Sequence, residues 1–446
     1  MTNQPNWTAF ESWLAAIQQR EQIPGVSVGV SQGGKVVYAK GFGVADIDTG
    51  RPVDDETVYG IASVSKSFAA LAVMQVADEG KVDPYGPVVA YLPEFNLRAA
   101  PDKTAIKVHH CLSHTTGCPP LKREQGKFAG FEDHLRYLAE YDTTLLGQPG
   151  EYMSYCNDLF MLSGAIVERV TGQAFSQHVT ERVFRPLGMT RSTYDLDELA
   201  GWDNVTEVYN LNQDKTAREK QPWPKLGTYY VGGGIRSTVR DLLRYGDMYC
   251  AGGQSPDGTQ VVSEVGVMRL RAPVYPVGGN GFYCYGMQIT PAYHGVTLVE
   301  HGGSLPGVAS RWGYVPELGM SAVVLSNLRG APADQIYTAL INTALGVPVD
   351  QLRRPPAPTF PLSTAQLERL AGTYKTDEGA NIKIELEGDE LFAEMDKERR
   401  SLRPTAPDAA AYMQQGRERP IRWYLREDGP AWGMRFGVRI ARRSEE

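Results

Sequence analysis

Apolar residues at Phe10, Trp13 and Leu14 open the chain at helical spacing and predict an amphipathic helix. The period then changes. In GVSVGVSQGGKVVYAKGFGVAD two β-rich runs flank Gln32-Gly33-Gly34, which predicts a hairpin. From Ser63 to about Glu79, Ala, Leu, Val and Met cover nearly every side of a helical wheel until Gly80 interrupts them, so this predicted helix belongs inside a domain. Phe160, Leu162, Ile166 and Val170 mark a further helix in DLFMLSGAIVERVTG. The β pattern returns in VTLVEHGGS, SRWGYVPELG and MSAVVLSN. Strands at both ends of a region with helices between them predict an α/β (α+β) fold: one antiparallel sheet, closed by the two ends of the region and flanked by helices.

After Asp350 the pattern breaks again. QLRRPPAPTFPLS, with Pro355, Pro356, Pro358 and Pro361, reads as a stiff, extended linker. Beyond it, short alternating stretches separated by Gly, Asp and Asn turns predict a small antiparallel β-barrel. The expected organisation is a large unit over 1–350, a proline-rich linker over 351–362 and the small barrel over 363–446. A chain of 446 residues has room for two such cores.

Composition alters this picture little. Lys and Arg number 45 against 52 Asp and Glu, a net charge of −7 without long runs of either sign, so neither nucleic acid nor an anionic membrane is implied as partner. The N-terminal segment lacks the basic start and apolar run of a signal peptide, and nowhere do ~18 apolar residues run together. Five cysteines without a regular framework fit free thiols, and the expected localisation is cytoplasmic.

Three short stretches carry candidate chemistry. In GIASVSKSF, Ser63 and Lys66 stand three apart, so on a helix they share a face and their head groups can meet. A serine hydroxyl needs something to take its proton, and an amine desolvated among Ala62, Val64, Phe68 and Ala69 can do so. The plain alternative is a helix start with a lysine reaching for solvent. In PGEYMSYCNDLF, Tyr155 and Asn157 stand two apart before a helix, in an extended segment that sends both side chains the same way; Asn157 as a simple helix cap is the competing explanation. In EHGGS, His301, Gly302, Gly303 and Ser304 end a β run; the two glycines would let a ligand approach the strand, and N–H groups there could help form an oxyanion hole.

Together SVSK, YCN and HGG, in that order, resemble the serine β-lactamase and penicillin-binding protein superfamily, nearest its class C-like branch of esterases, D-amino-acid peptidases and acyl transferases. CLSHTTG at 111–117 and GGGIRSTVRDLLR at 232–244 are similar to further segments of that branch. The resemblance spans residues 10 to about 346, and the C-terminal part resembles the lipocalin-like barrel of some members. It implies Ser63 as nucleophile, Lys66 and Tyr155 sharing the acid/base work, and substrate contacts from Asn157, His301, Gly302, Gly303 and Ser304, with the N–H groups of Ser63 and Ser304 as oxyanion hole. The implied enzyme is a serine hydrolase acting through an acyl-enzyme on esters, amides or peptides, without a cofactor. Acyl transfer or peptide cyclisation, weak β-lactam hydrolysis and a non-catalytic ligand sensor are the alternatives; substrates are small molecules or peptides, and homo-oligomerisation stays open. Where β-lactamases usually carry lysine, this chain has His301, which titrates near ~6.5 when unperturbed. It therefore predicts a poor β-lactamase and a preference for substrates without a carboxylate near the scissile bond.

Two other patterns lead elsewhere. His109, His110, Cys111, His114 and Cys118 lack zinc-site spacing, so no metal is expected. Gly232-Gly233-Gly234 lacks the Lys-Ser/Thr of a P-loop, and Thr238 with Asp241 has the spacing of a capping box.

Overall fold

The computed structural model describes residues 4–124, 126–395 and 398–444. Gly33 and Gly34 adopt φ of 58° and 75°, as a type I′ turn requires, and close β1 (Gly25–Gln32) onto β2 (Lys35–Gly43) where the hairpin is predicted. The sheet continues with β3 (Tyr275–Gly278), β4 (Gly281–Tyr283), β5 (Gln288–Tyr293), β6 (Val296–Leu305), β7 (Val308–Val315) and β8 (Met320–Ser326). The eight strands are antiparallel in the order β2-β1-β8-β7-β6-β5-β4-β3. Val28 on β1 faces Val324 on β8, so the first and last strands of the region close the sheet together as predicted.

Helices cover both faces, and the two-residue strand period distributes the core between them. On β8, Val323 and Leu325 point to one core, and Ala322 and Val324 to the other. The first core holds α2 (Ser65–Asp78) and α3 (Asn157–Thr171); the second holds α1 (Trp7–Arg20), through Phe10, Leu14 and Ile17, and α5 (Ala333–Ala344). Between α3 and α5 in the chain, α4 (Val239–Cys250) lies so close to β1 that a β-carbon on Gly29 would come within 2.4 Å of the Val239 side chain. Thr238 caps α4 by accepting the Asp241 N–H at 3.1 Å. The Asp241 carboxylate does not complete the predicted box, because it accepts from Ser192 Oγ and the Arg191 N–H instead.

Helix α2 is buried from Ser65 to Val76, in keeping with its all-round apolar wheel, and Phe68 stacks on Tyr245 with centroids 3.7 Å apart. It begins two residues later than expected. Ser63 sits in a 3₁₀ turn, Ala62–Val64, entered through Ala62 at φ 47°.

Residues 351–363 contain no helix or strand. They are nonetheless pinned, since Arg353 donates to Glu300 and to Thr338 Oγ1, each at 2.8 Å. After a short helix, α6 (Thr364–Leu370), eight strands from β9 (Gly372–Lys375) to β15 (Gly433–Phe436) and β16 (Arg439–Arg443) form a closed barrel around Tyr374, Ile384, Trp423 and Met434. Among the described residues no helix is long and apolar enough to cross a membrane. All five cysteines are free.

Candidate active site

The 3₁₀ turn that presents Ser63 is held from three sides. Ile61 donates its N–H to the Ile235 carbonyl at 3.0 Å, and its own carbonyl accepts from Ser310 Oγ on β7 at 2.7 Å. Ser65 Oγ accepts the Ile235 N–H at 3.2 Å. Strand β6 presses against this turn through Gly303, where a β-carbon would lie 2.2 Å from the Ile61 carbonyl oxygen and 3.0 Å from Ala62 Cβ. The glycine is thus needed for the approach of the Ser63 segment, a different reason from the ligand access expected from the sequence.

Lys66 is the second residue of α2, and its Nζ lies 3.4 Å from Ser63 Oγ and 3.1 Å from the Gly232 carbonyl oxygen. The ammonium position is packed over the rings of Tyr155 and Phe160, at 5.0 and 5.3 Å from their centroids. Burial drives the Lys66 pKa well below that of an ordinary lysine, and the charges of Arg123 and Arg439 push it the same way. Gly232 is a partner that the sequence reading passed over. Its run of three glycines looked purely structural, yet a β-carbon there would fall 3.0 Å from Lys66 Nζ.

Tyr155 and Asn157 both reach this centre from the segment leading into α3. Ser63 lies where two cavities meet: one of about 40 Å³, lined with Lys66, Asn157, Met161 and Leu226, and one of about 470 Å³, lined with Tyr155, His301 and Arg439. Asn157 is the first residue of α3, after Cys156, rather than its cap. The buried Tyr155 hydroxyl has no hydrogen-bond partner of ordinary length among the described residues. Burial raises its pKa to about 12, against the opposing influence of the neighbouring Ser63 hydroxyl and of Arg439 and Arg123. It is therefore a phenol at neutral pH, able to donate a proton.

His301 does not behave as its sequence position suggests. Its Nε2 is 3.0 Å from the Tyr283 hydroxyl, its Nδ1 is 2.6 Å from the Gly302 carbonyl oxygen, and the side chain is buried. Burial, helped by Lys66, brings its pKa down to about 3. The expected change of charge near neutral pH is corrected accordingly: the imidazole lines the cavity as a neutral group. Gly302, Gly303 and Ser304 line the larger cavity, and Ser304 borders both.

The His and Cys residues between 109 and 118 do not converge on a common point. His110 Nδ1 accepts the Lys107 N–H at 3.1 Å, and His114 Nδ1 lies 3.1 Å from the Cys156 carbonyl oxygen. His114 also stacks against Tyr155, with centroids 3.9 Å apart. Among the described residues no group of three or more His, Cys, Asp or Glu is placed to hold a metal ion.

A helix-flanked antiparallel sheet whose site joins a serine to a buried lysine and a tyrosine is the β-lactamase/transpeptidase fold. Residues 10–345 match the family described as Beta-lactamase, and the chain belongs to that family. It is 29% identical over 386 residues to "Penicillin-binding protein 4" of Amycolatopsis lactamdurans, a match covering 82% of this chain and 96% of that one. Among solved structures it resembles the octameric penicillin-binding protein homologue from Pyrococcus abyssi, at 25% identity and a TM-score of 0.73, covering 98% and 99% of the two chains. The fold of SurE is similar, with 20% identity, a TM-score of 0.76 and the same coverage. Barrel and sheet are thus both included in these likenesses.

Proposed function

We propose that this protein is a serine acyl hydrolase that forms an acyl-enzyme on Ser63. One observation carries the reading: a fully buried lysine, its pKa driven down, lies 3.4 Å from the Ser63 hydroxyl. As a neutral amine, Lys66 takes the Ser63 proton while Oγ attacks the substrate carbonyl carbon. Tyr155, a phenol, donates a proton to the departing group, and the ammonium left on Lys66 restores it. The N–H groups of Ser63 and Ser304 would stabilise the oxyanion, and water would release the acyl group by the reverse proton path. Esters, amides and peptides, those of D-amino acids included, are the substrate classes. Similarity over 96% of a protein named for penicillin binding supports an acylatable serine. The octameric relative supports self-association, which sedimentation of the purified protein would test.

The test is covalent labelling. A fluorophosphonate should add once, at Ser63, and Ser63→Ala should take up none, as read by intact mass and peptide mapping. An adduct elsewhere, or none, refutes the assignment. A panel of p-nitrophenyl esters, D- and L-aminoacyl nitroanilides and a chromogenic β-lactam then ranks the substrate classes.

A further inference from the structure

Helix α3 meets a second element along one side. Asp158, Met161 and Gly164 recur at every third residue and lie along that side. Against them runs a 3₁₀ helix, Gly227–Gly232, ending on the residue whose carbonyl accepts from Lys66. Two of the contacts are apolar and close: a β-carbon on Gly164 would stand 2.4 Å from the Val231 side chain, and one on Gly232 would stand 2.5 Å from the end of Met161. The third is polar. Tyr229 donates its hydroxyl to Asp158 Oδ1 at 2.5 Å, and the Oγ1 of neighbouring Thr228 lies 2.9 Å from His134 Nδ1.

The proton path through Ser63, Lys66 and Tyr155 uses none of these polar groups, and their burial is unfavourable. Asp158 is 1% exposed and His134 is fully buried. Asp158 Oδ2 and His134 Nε2 have no hydrogen-bond partner among the described residues, His134 Nε2 being 3.6 Å from Asp158 Oδ1. Burial and the Asp158 carboxylate both push the Tyr229 pKa above that of an ordinary phenol, which keeps its hydroxyl a donor. Apolar contacts are non-directional and let a short helix slide on its neighbour, whereas a hydrogen bond to a buried carboxylate allows one register. Register matters at Gly232. A neutral Lys66 amine has two N–H bonds and one lone pair; donation to the Gly232 carbonyl at 3.1 Å restricts its rotation, which leaves the lone pair free to face Ser63 Oγ, 3.4 Å away.

We propose that Asp158 and Tyr229 are positioning residues: their hydrogen bond fixes the 3₁₀ helix on α3 and so places the Gly232 carbonyl that orients the Lys66 amine toward Ser63. The inference rests on the acyl-hydrolase reading above, in which Lys66 is the base. It gives the first turn of α3 two tasks, since Asn157 lines the smaller cavity while Asp158, next in the chain, holds the Tyr229 side of its wall. Besides Ser63 and Tyr155, Lys66 interacts with the charges of Arg123, Arg439 and Glu378 and with Cys156, His114 and His301. Substitution of Asp158 or Tyr229 leaves all of these groups in the chain.

The test is the rate of fluorophosphonate labelling at Ser63 across pH, in wild type, Tyr229→Phe, Asp158→Ala and Asp158→Asn. Tyr229→Phe and Asp158→Ala should each slow labelling by about 10- to 100-fold, the scale of a small misplacement in an active site. Both should also move the acid limb of the profile to lower pH, because an ammonium gains more than an amine from a carbonyl acceptor. Asp158→Asn keeps an oxygen for the Tyr229 hydroxyl and should restore most of the rate. A merely structural defect lowers the labelled fraction and leaves the limb in place. Wild-type rates in both Tyr229→Phe and Asp158→Ala, or slower labelling with an unmoved limb, overturn the proposal. If Asp158→Ala does not fold, Tyr229→Phe, which keeps the ring, decides alone. Should wild type take up no fluorophosphonate, the hydrolase reading fails instead. Titration of the Lys66 Cε resonance in carbon-13-labelled protein then judges the positioning by itself: a lower midpoint in Tyr229→Phe upholds it, and equal midpoints overturn it.

Discussion

The carbonyl oxygen of Ile61 lies 2.2 Å from where a β-carbon on Gly303 would stand. Strand β6 and the turn bearing Ser63 are therefore packed backbone to backbone, and the separation of nucleophile and strand is set by the absence of one methyl group. Gly303→Ala should force them apart and lower kcat/KM by about 100-fold, the scale of a displacement near 1 Å in an active site. Circular dichroism and urea unfolding would separate this from a folding defect, and near-wild-type turnover would show that the contact is not limiting.

Lys66 should work as a neutral amine, so activity should fall as pH drops through its depressed pKa. The raised pKa of Tyr155, about 12, places loss of its proton above the usual working range. Lys66→Ala and Tyr155→Phe should each reduce kcat by at least ~100-fold. Normal turnover in either variant would remove that residue from the mechanism.

The same burial has a cost in stability. Between the depressed folded pKa and the unfolded value of ~10.4, the unfolded chain binds the Lys66 proton and the native state does not, so stability rises with pH across that window. Lys66→Met should accordingly raise the melting temperature at pH 7 while abolishing turnover. A lower melting temperature would mean that the hydrogen bond to Gly232 outweighs desolvation.

His301 obeys the same sign at lower pH. Its folded pKa is down to about 3, while the unfolded imidazole takes a proton near ~6.5, so stability is lost as pH falls through that interval. His301→Gln should flatten the acid side of the stability profile, and the His301 imidazole resonance should not titrate between pH 5 and 8. A midpoint near 6.5 would contradict the buried, doubly partnered ring.

Burial would raise the Glu300 pKa, but Arg311 and Arg353 hold it below the ordinary value, and Arg353 belongs to the proline-rich segment. Arg353→Ala should destabilise the protein by about 3 kcal/mol, the range for breaking a buried pair. On our reading of two cores, a chain ending near residue 362 should be more stable than one ending at 350, because only the longer chain keeps this guanidinium. Equal urea midpoints for the two would disprove the role of Arg353.

Local features were legible in the sequence because they depend on neighbours in the chain. The spacing of Ser63 and Lys66 survives the replacement of the first helical turn by a 3₁₀ turn, since both geometries bring residues three apart together. The hairpin at Gly33-Gly34 and the buried helix α2 follow equally from turn chemistry and from the apolar wheel. Strands β3, β4 and β5 were not predicted; β3 and β4 are only four and three residues long.

The sequence by itself determined the strand and helix periods, the three motifs and thereby the family, all properties of spacing along the chain. Tertiary structure alone decided the charge states and the company of the site. Desolvation lowers the Lys66 pKa, keeps Tyr155 a phenol and holds His301 neutral; it depends on what surrounds a group in space, which spacing does not record. Gly232 becomes the partner of Lys66 from 166 positions away, and Glu378 reaches Arg123 across 255. Such contacts exist only once the chain has folded, the second only with the barrel in place, because Coulomb and hydrogen-bond energies depend on distance through space, not on distance along the chain.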